Sequence, residues 1–150
     1  MKILVTNDDG VYGEGLGYLV EFAKTLGEVI VVAPKEEQSA KSHALNIKYP
    51  FSCEKVDLGF GVETYMVDST PADCVRYAHY GLYEKIDLVL SGVNKGYNLG
   101  EDIMYSGTVA AATEAATLNI KSLAISTSHK SFDGVLDNLK KVYDYIKNNK

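Results

Sequence analysis

Apolar residues along this chain fall into two patterns: short unbroken runs, and stripes spaced three and four positions apart. Lys2 to Thr6 (KILVT) and Glu28 to Pro34 (EVIVVAP) are runs of the first kind. Both predict buried strands, being short, apolar and followed by turn residues. Between them, Leu16, Leu19, Val20, Ala23 and Leu26 predict a helix over Gly13 to Leu26, with Gly27 as its stop. Two strands joined by a helix form a βαβ unit with a right-handed crossover.

The pattern repeats further along. Ser69-Thr70-Pro71-Ala72-Asp73 offers a hydroxyl cap, then proline and an acid in the first turn, and predicts a helix to about Tyr83. IDLVLS (Ile86 to Ser91) predicts a third core strand, and a glycine-rich loop follows from Gly92 to Tyr105. Ser106-Gly107-Thr108 opens an alanine-rich helix to about Leu118, and SLAIST predicts a fourth core strand. The last helix, Gly134 to Asn149, carries the stripe Val135, Leu136, Leu139, Val142, Tyr143 and Ile146. Between Asn46 and Asp68 the patterns IKYPFS and VETYMV alternate, with Gly59 and Gly61 between them. They predict antiparallel strands projecting from or edging the sheet. The whole predicts an α/β fold: a three-layer, Rossmann-like, mostly parallel doubly wound sheet with a β-hairpin insertion, in one domain over residues 1–150.

The 150 residues, 46% apolar and 23% charged, suit one soluble core. No run approaches a membrane span, and MKILV leads into a strand rather than a signal peptide. Two cysteines, Cys53 and Cys74, make no disulfide framework, so free thiols in the cytoplasm are expected. A net charge of −5 argues against a nucleic-acid polymer as partner. It also requires that any anion site be made locally positive by a cation or a helix N-terminus.

Candidate chemistry gathers in the loops after the strands, where open parallel sheets bind ligands. Asp8 and Asp9 stand side by side after the first strand, an arrangement that costs free energy unless a cation or proton offsets it. A turn with an Asx-type cap is the plainer reading of Asp8-Asp9-Gly10 alone. Ser39 follows the second strand, and Asn94 and Asn98 follow the third, in SGVNKGYNLG. Two carboxylates, a hydroxyl and an amide oxygen are hard ligands suited to Mg²⁺ or Mn²⁺. Ser106, Gly107 and Thr108 at a helix N-terminus form a phosphate cradle without a lysine. His43 and His129 lie near the same edge as possible proton donors to a leaving alkoxide, against the plainer reading of exposed loop histidines. His79, mid-helix, reads as structural. Tyr97 or Tyr105 could stack on a base, with packing as the alternative.

NDDG, QSAKSHALN, STPADCV and above all SGVNKGYNLGEDIMYSGTVAAATEA closely resemble the SurE (survival protein E) family of metal-dependent 5'-nucleotidases, over nearly the whole chain. The resemblance implies that Asp8, Asp9, Ser39 and Asn94 ligate one divalent metal ion. It implies that Asn98, Ser106, Gly107 and Thr108 hold the phosphate of a nucleoside 5'-monophosphate, and that the protein is a homodimer or larger homo-oligomer. Members continue past IKNNK with further strands and a C-terminal segment used in assembly and closure of the site, so this chain reads as a C-terminally short form. The expected chemistry is in-line attack by a metal-activated water, with the helix N-terminus stabilising charge. Asp8 or Asp9 would accept the water's proton, or act as nucleophile. The alternatives are a broad acid phosphatase or exopolyphosphatase, a non-catalytic nucleotide-binding module, and a phospho-receiver. The last needs an Asp ending the third strand, where this chain has Ser91-Gly92-Val93-Asn94.

Overall fold

The computed structural model describes residues 1–83 and 85–148. Six strands form one sheet: β1 (Lys2–Thr6), β2 (Glu28–Pro34), β3 (Cys53–Val56), β4 (Glu63–Val67), β5 (Leu88–Lys95) and β6 (Lys121–Thr127), in the order β3-β4-β2-β1-β5-β6. All neighbours are parallel except β3, which pairs antiparallel with β4. Four helices flank the sheet: α1 (Glu14–Lys24), α2 (Pro71–Tyr77), α3 (Gly107–Thr117) and α4 (Val135–Asn148). Among the described residues no helix is long and apolar enough to cross a membrane.

Alternation along β1 makes the three layers. Ile3 and Val5 join the cluster that packs Leu16, Leu19 and Val20 of α1 with Val135 and Leu139 of α4. Leu4 joins the opposite cluster with Cys74 and Val75 of α2 and Ala111 and Ala115 of α3. The alanines let α3 lie close to the sheet. β1 sits between β2 and β5, where the chain order reverses, and the carboxyl ends of strands at such a switch point open a crevice.

Local chemistry sets the helix starts. Thr70 caps α2 by accepting the Asp73 N–H at 3.1 Å, and Ser106 caps α3 by accepting the Val109 N–H at 3.2 Å. Cys53 and Cys74 are both free thiols, the latter buried.

Several expectations need correction. IKYPFS is no strand: Ile47 and Tyr49 are exposed, and pairing begins at Cys53, beyond Pro50. VETYMV does more than edge the sheet, since β4 is the parallel neighbour of β2. The helix from Pro71 ends its α-helical part at Tyr77 and continues as a π-helical turn over Ala78–Leu82, closed by Tyr83 N–H to Ala78 O at 3.0 Å. β5 runs on through Gly92 to Lys95, where a loop was expected. Gly92 has φ +133°, and a Cβ there would lie 2.3 Å from the Ile125 carbonyl of β6, so only glycine lets the two strands run together. The rest of that loop contains a 3₁₀ turn, Gly100–Met104. SLAIST lies at an edge of the described sheet and is half-buried rather than core. Of the α4 stripe, Val135 and Leu139 are buried while Leu136, Val142 and Ile146 are exposed. The expected helix end, Asn149, lies outside the described residues.

Candidate active site

At the carboxyl ends of β1, β2, β5 and β6 an open cleft of about 370 Å³ brings together Asp8, Asp9, Ser39, Asn94, Asn98 and Ser106, drawn from four separate stretches of sequence. A larger concavity of about 550 Å³, lined by Lys2, Glu28 and Glu63, lies at the opposite ends of the strands.

The Asp pair is held by short-range turn chemistry on one side and by α3 on the other. The Asn7 side-chain amide donates to Gly10 O at 2.8 Å, and the Gln38 N–H donates to Asp8 O at 2.7 Å. Asp8 is 4% exposed, and its Oδ1 accepts the Thr108 hydroxyl. Gly107 permits this approach: a Cβ there would lie 2.7 Å from the Asp8 Cβ. The first turn of α3 therefore presses against a carboxylate, a favourable placement for negative charge.

Asp9 is half-buried. Burial, and then the neighbouring Asp8 and Glu37 carboxylates, push its carboxyl up from the ordinary 3.8 to about 6. The cleft is lined by the acids Asp8, Asp9, Glu37 and Asp102 against one ammonium, Lys95, and His129. Such a cleft repels an anion until a cation enters. Ser39 donates to Glu37 Oε1 at 2.6 Å. Asn94 donates its amide N–H to Gly96 O at 2.8 Å, leaving the amide oxygen as an acceptor. Among the described residues no group of three or more His, Cys, Asp or Glu side chains is gathered as a metal site. The donors here are two carboxylates, a hydroxyl and an amide oxygen, a set that fits a hard cation.

The phosphate candidates divide. Asn98 lines the cleft and donates to Ser126 Oγ at 2.8 Å. Ser106 lines it too, and because its oxygen accepts the Val109 N–H, its own O–H is left to donate. The first helical bond of α3 runs from the Ala110 N–H to Ser106 O, so the Gly107 and Thr108 amides precede any intrahelical partner. The Thr108 side chain is fully buried and serves Asp8, so its share in an anion site would fall to its backbone.

Of the histidines, His129 lines the cleft and packs against Gly96. His43 does not line it and is an exposed loop histidine, its Nε2 lying 2.7 Å from Glu114 Oε2. His79 stacks edge-on against Tyr80 away from the cleft. Tyr97 and Tyr105 both line the cleft and are exposed. Sequence reasoning missed Glu37, Asp102, Ser126 and Lys95. Lys95 stands within SGVNKGYNLG itself and was legible; Ser126 was not, since its role depends on the pairing of β6 beside β5.

A family model described as Survival protein SurE matches residues 3–149. The 5'-nucleotidase SurE of Clostridium botulinum (strain ATCC 19397 / Type A) is 46% identical over 127 residues, which cover 84% of this chain and 50% of that protein. The 5'-nucleotidase SurE of Thermoanaerobacter sp. (strain X514) is 44% identical over 149 residues, 99% of this chain and 58% of the relative. The crystal structure of the SurE protein from Aquifex aeolicus superposes with a TM-score of 0.86 at 39% identity, covering 99% of this chain and 61% of that one. The chain thus spans about half the length of the curated relatives it matches.

Proposed function

This chain belongs to the Survival protein SurE family, and on that premise we propose that it is a metal-dependent phosphomonoesterase acting on nucleoside 5'-monophosphates. One observation carries the reading: the contact between Asp8 and the first turn of α3, made possible by Gly107, gives a carboxylate pair and a helix N-terminus a common cleft. The printed names of the relatives, 5'-nucleotidase SurE, support the substrate class. The same premise supports a cytoplasmic homo-oligomer, with which two free thiols agree.

A divalent cation, Mg²⁺ or Mn²⁺, held by Asp8, Asp9, Ser39 and Asn94 would polarise the phosphoryl oxygens and lower the pKa of a water molecule. The chain's own groups do the rest. Ser106 and the Gly107 and Thr108 amides receive the phosphate oxygens at the helix N-terminus, where charge accumulates in the transition state. Asn98, oriented by Ser126, fixes the phosphate from the β5 side. Lys95 borders the cleft with its ammonium over the Phe132 ring, 5.5 Å from the centroid. His129, which lines the cleft, would give a proton to the departing ribose oxygen.

The test is phosphate release from a panel of nucleoside 5'-monophosphates with Mn²⁺, Mg²⁺ or EDTA, for the wild type and Asp8→Asn. Release that requires the metal and disappears in the variant is expected. A folded protein that binds Mn²⁺ and releases nothing would refute the phosphatase reading for these 150 residues.

A further inference from the structure

We propose that His43 and Glu114 are positioning residues that fasten the loop bearing Ser39 to the body of α3, and so hold a cleft ligand in place. The inference rests on the phosphatase reading for its functional consequence, and on geometry for the fastening itself.

Between β2 and Ser52 the chain has no regular secondary structure. Ser39 is exposed, and within four residues of it Ala40 and Ser42 both adopt left-handed backbone, with φ +57° and +56°. Non-glycine residues persist there only when their surroundings over-determine them. The bonds that do so reach far along the chain. The Ser42 N–H donates to Tyr105 O at 3.0 Å and its hydroxyl to Met104 O at 2.5 Å. Thr70 donates to Ala44 O at 2.8 Å, and the Asn46 N–H donates to Asp73 Oδ2 at 2.9 Å.

The His43 link, like the Asn46 bond to buried Asp73, ends on a buried carboxylate, and here that carboxylate lies on α3 itself. Glu114, on α3, is 4% exposed. Its Oε1 accepts from Arg76 of α2 at 2.9 Å, and its Oε2 meets His43 at 2.7 Å. Joining α2 to α3 needs no buried carboxylate, since apolar packing serves that purpose as well or better. The second oxygen has a use only because the loop reaches it. Glu114 also stands on the same rigid helix as Ser106, eight positions on, or roughly 12 Å along the axis. The loop is therefore fastened through His43 to α3, the helix whose N-terminus forms the phosphate cradle, and through Ser42 to Met104 and Tyr105 just before that helix. Ser39 and the cradle hold one fixed relation.

His43→Ala, His43→Asn and His43→Gln separate this role from simple packing. Gln carries a donor at the reach of Nε2, whereas Asn is too short. In Ala and Asn, amide exchange across residues 39–46 should rise at least tenfold with α3 unchanged, and the Mn²⁺ dissociation constant should rise about tenfold. Gln should stay within threefold of the wild type on both readouts. In a Ser39→Ala background, adding His43→Ala should weaken Mn²⁺ binding no further. Exchange and Mn²⁺ affinity within twofold of the wild type in Ala and Asn would overturn the proposal. So would a full tenfold further loss in the double variant. A wild type that binds Mn²⁺ but releases no phosphate from adenosine 5'-monophosphate counts against the phosphatase reading alone, because exchange and titration still decide the fastening.

Discussion

Asp9→Asn should stabilise the metal-free protein at neutral pH, although it removes a candidate ligand. In the folded chain burial, Asp8 and Glu37 raise the Asp9 carboxyl from 3.8 to about 6. Below pH 4 the group is protonated in both folded and unfolded states and contributes nothing to the difference. From pH 4 to 6 the unfolded chain releases the proton while the folded chain keeps it, so stability falls as pH rises. Above pH 6 the penalty is complete. At about 1.4 kcal/mol per pH unit the shift sets a ceiling of about 3 kcal/mol. Asp9 is only half-buried, and solvent screening brings this to about 1–1.5 kcal/mol.

For a chain of this size that corresponds to a Tm about 3–5 °C higher for the variant at pH 7.5 in EDTA, converging with the wild type near pH 4. Mn²⁺ should reverse the order. Saturation at about a hundredfold over its dissociation constant adds roughly 2.7 kcal/mol to the wild type and far less to the variant. Thermal melts at pH 4, 6 and 7.5, with EDTA or Mn²⁺, measure all of this. A variant no more stable than the wild type in EDTA at pH 7.5, or equally stabilised by Mn²⁺, would refute the reasoning.

Other substitutions probe the supports of the site. Gly107→Ala places a methyl 2.7 Å from the Asp8 Cβ, so calorimetry should show a loss of about 1–3 kcal/mol and Mn²⁺ titration a weakened site. Thr108→Val keeps the shape but removes the hydroxyl bond to Asp8; denaturant unfolding should register a loss of about 1.5–3 kcal/mol at pH 7. Ser126→Ala frees Asn98 from its partner, and steady-state kinetics should show a KM several-fold higher with kcat little changed. Glu114→Ala leaves the half-exposed Arg76 guanidinium without its carboxylate, and urea unfolding should show a loss of about 1 kcal/mol.

How much of this was legible in the sequence follows from the range of the interactions concerned. β1, β2 and the start of α3 are written locally, in a short apolar run or in a cap followed by alanines, and they stand where the pattern puts them. IKYPFS misled because alternation records a half-buried face only if a partner strand exists, and Ile47 and Tyr49 have none beside them. β5 was cut short at Gly92 because glycine ordinarily punctuates a strand; here it admits β6. Asp8, Ser39 and Asn94 could be placed at one edge of the sheet from topology alone. What holds them could not. The Thr108 bond to Asp8 spans 100 residues and the His43 bond to Glu114 spans 71, and no period in the chain encodes either. Both contacts converge on α3, which gives this helix a meaning its alanine-rich sequence hides. Its first turn carries the proposed anion site, Thr108 bonds one acid of the pair, and Glu114 bonds the loop of another candidate ligand. A displacement of α3 should therefore disturb cation and phosphate together, so the two ligands should bind with positive coupling rather than independently.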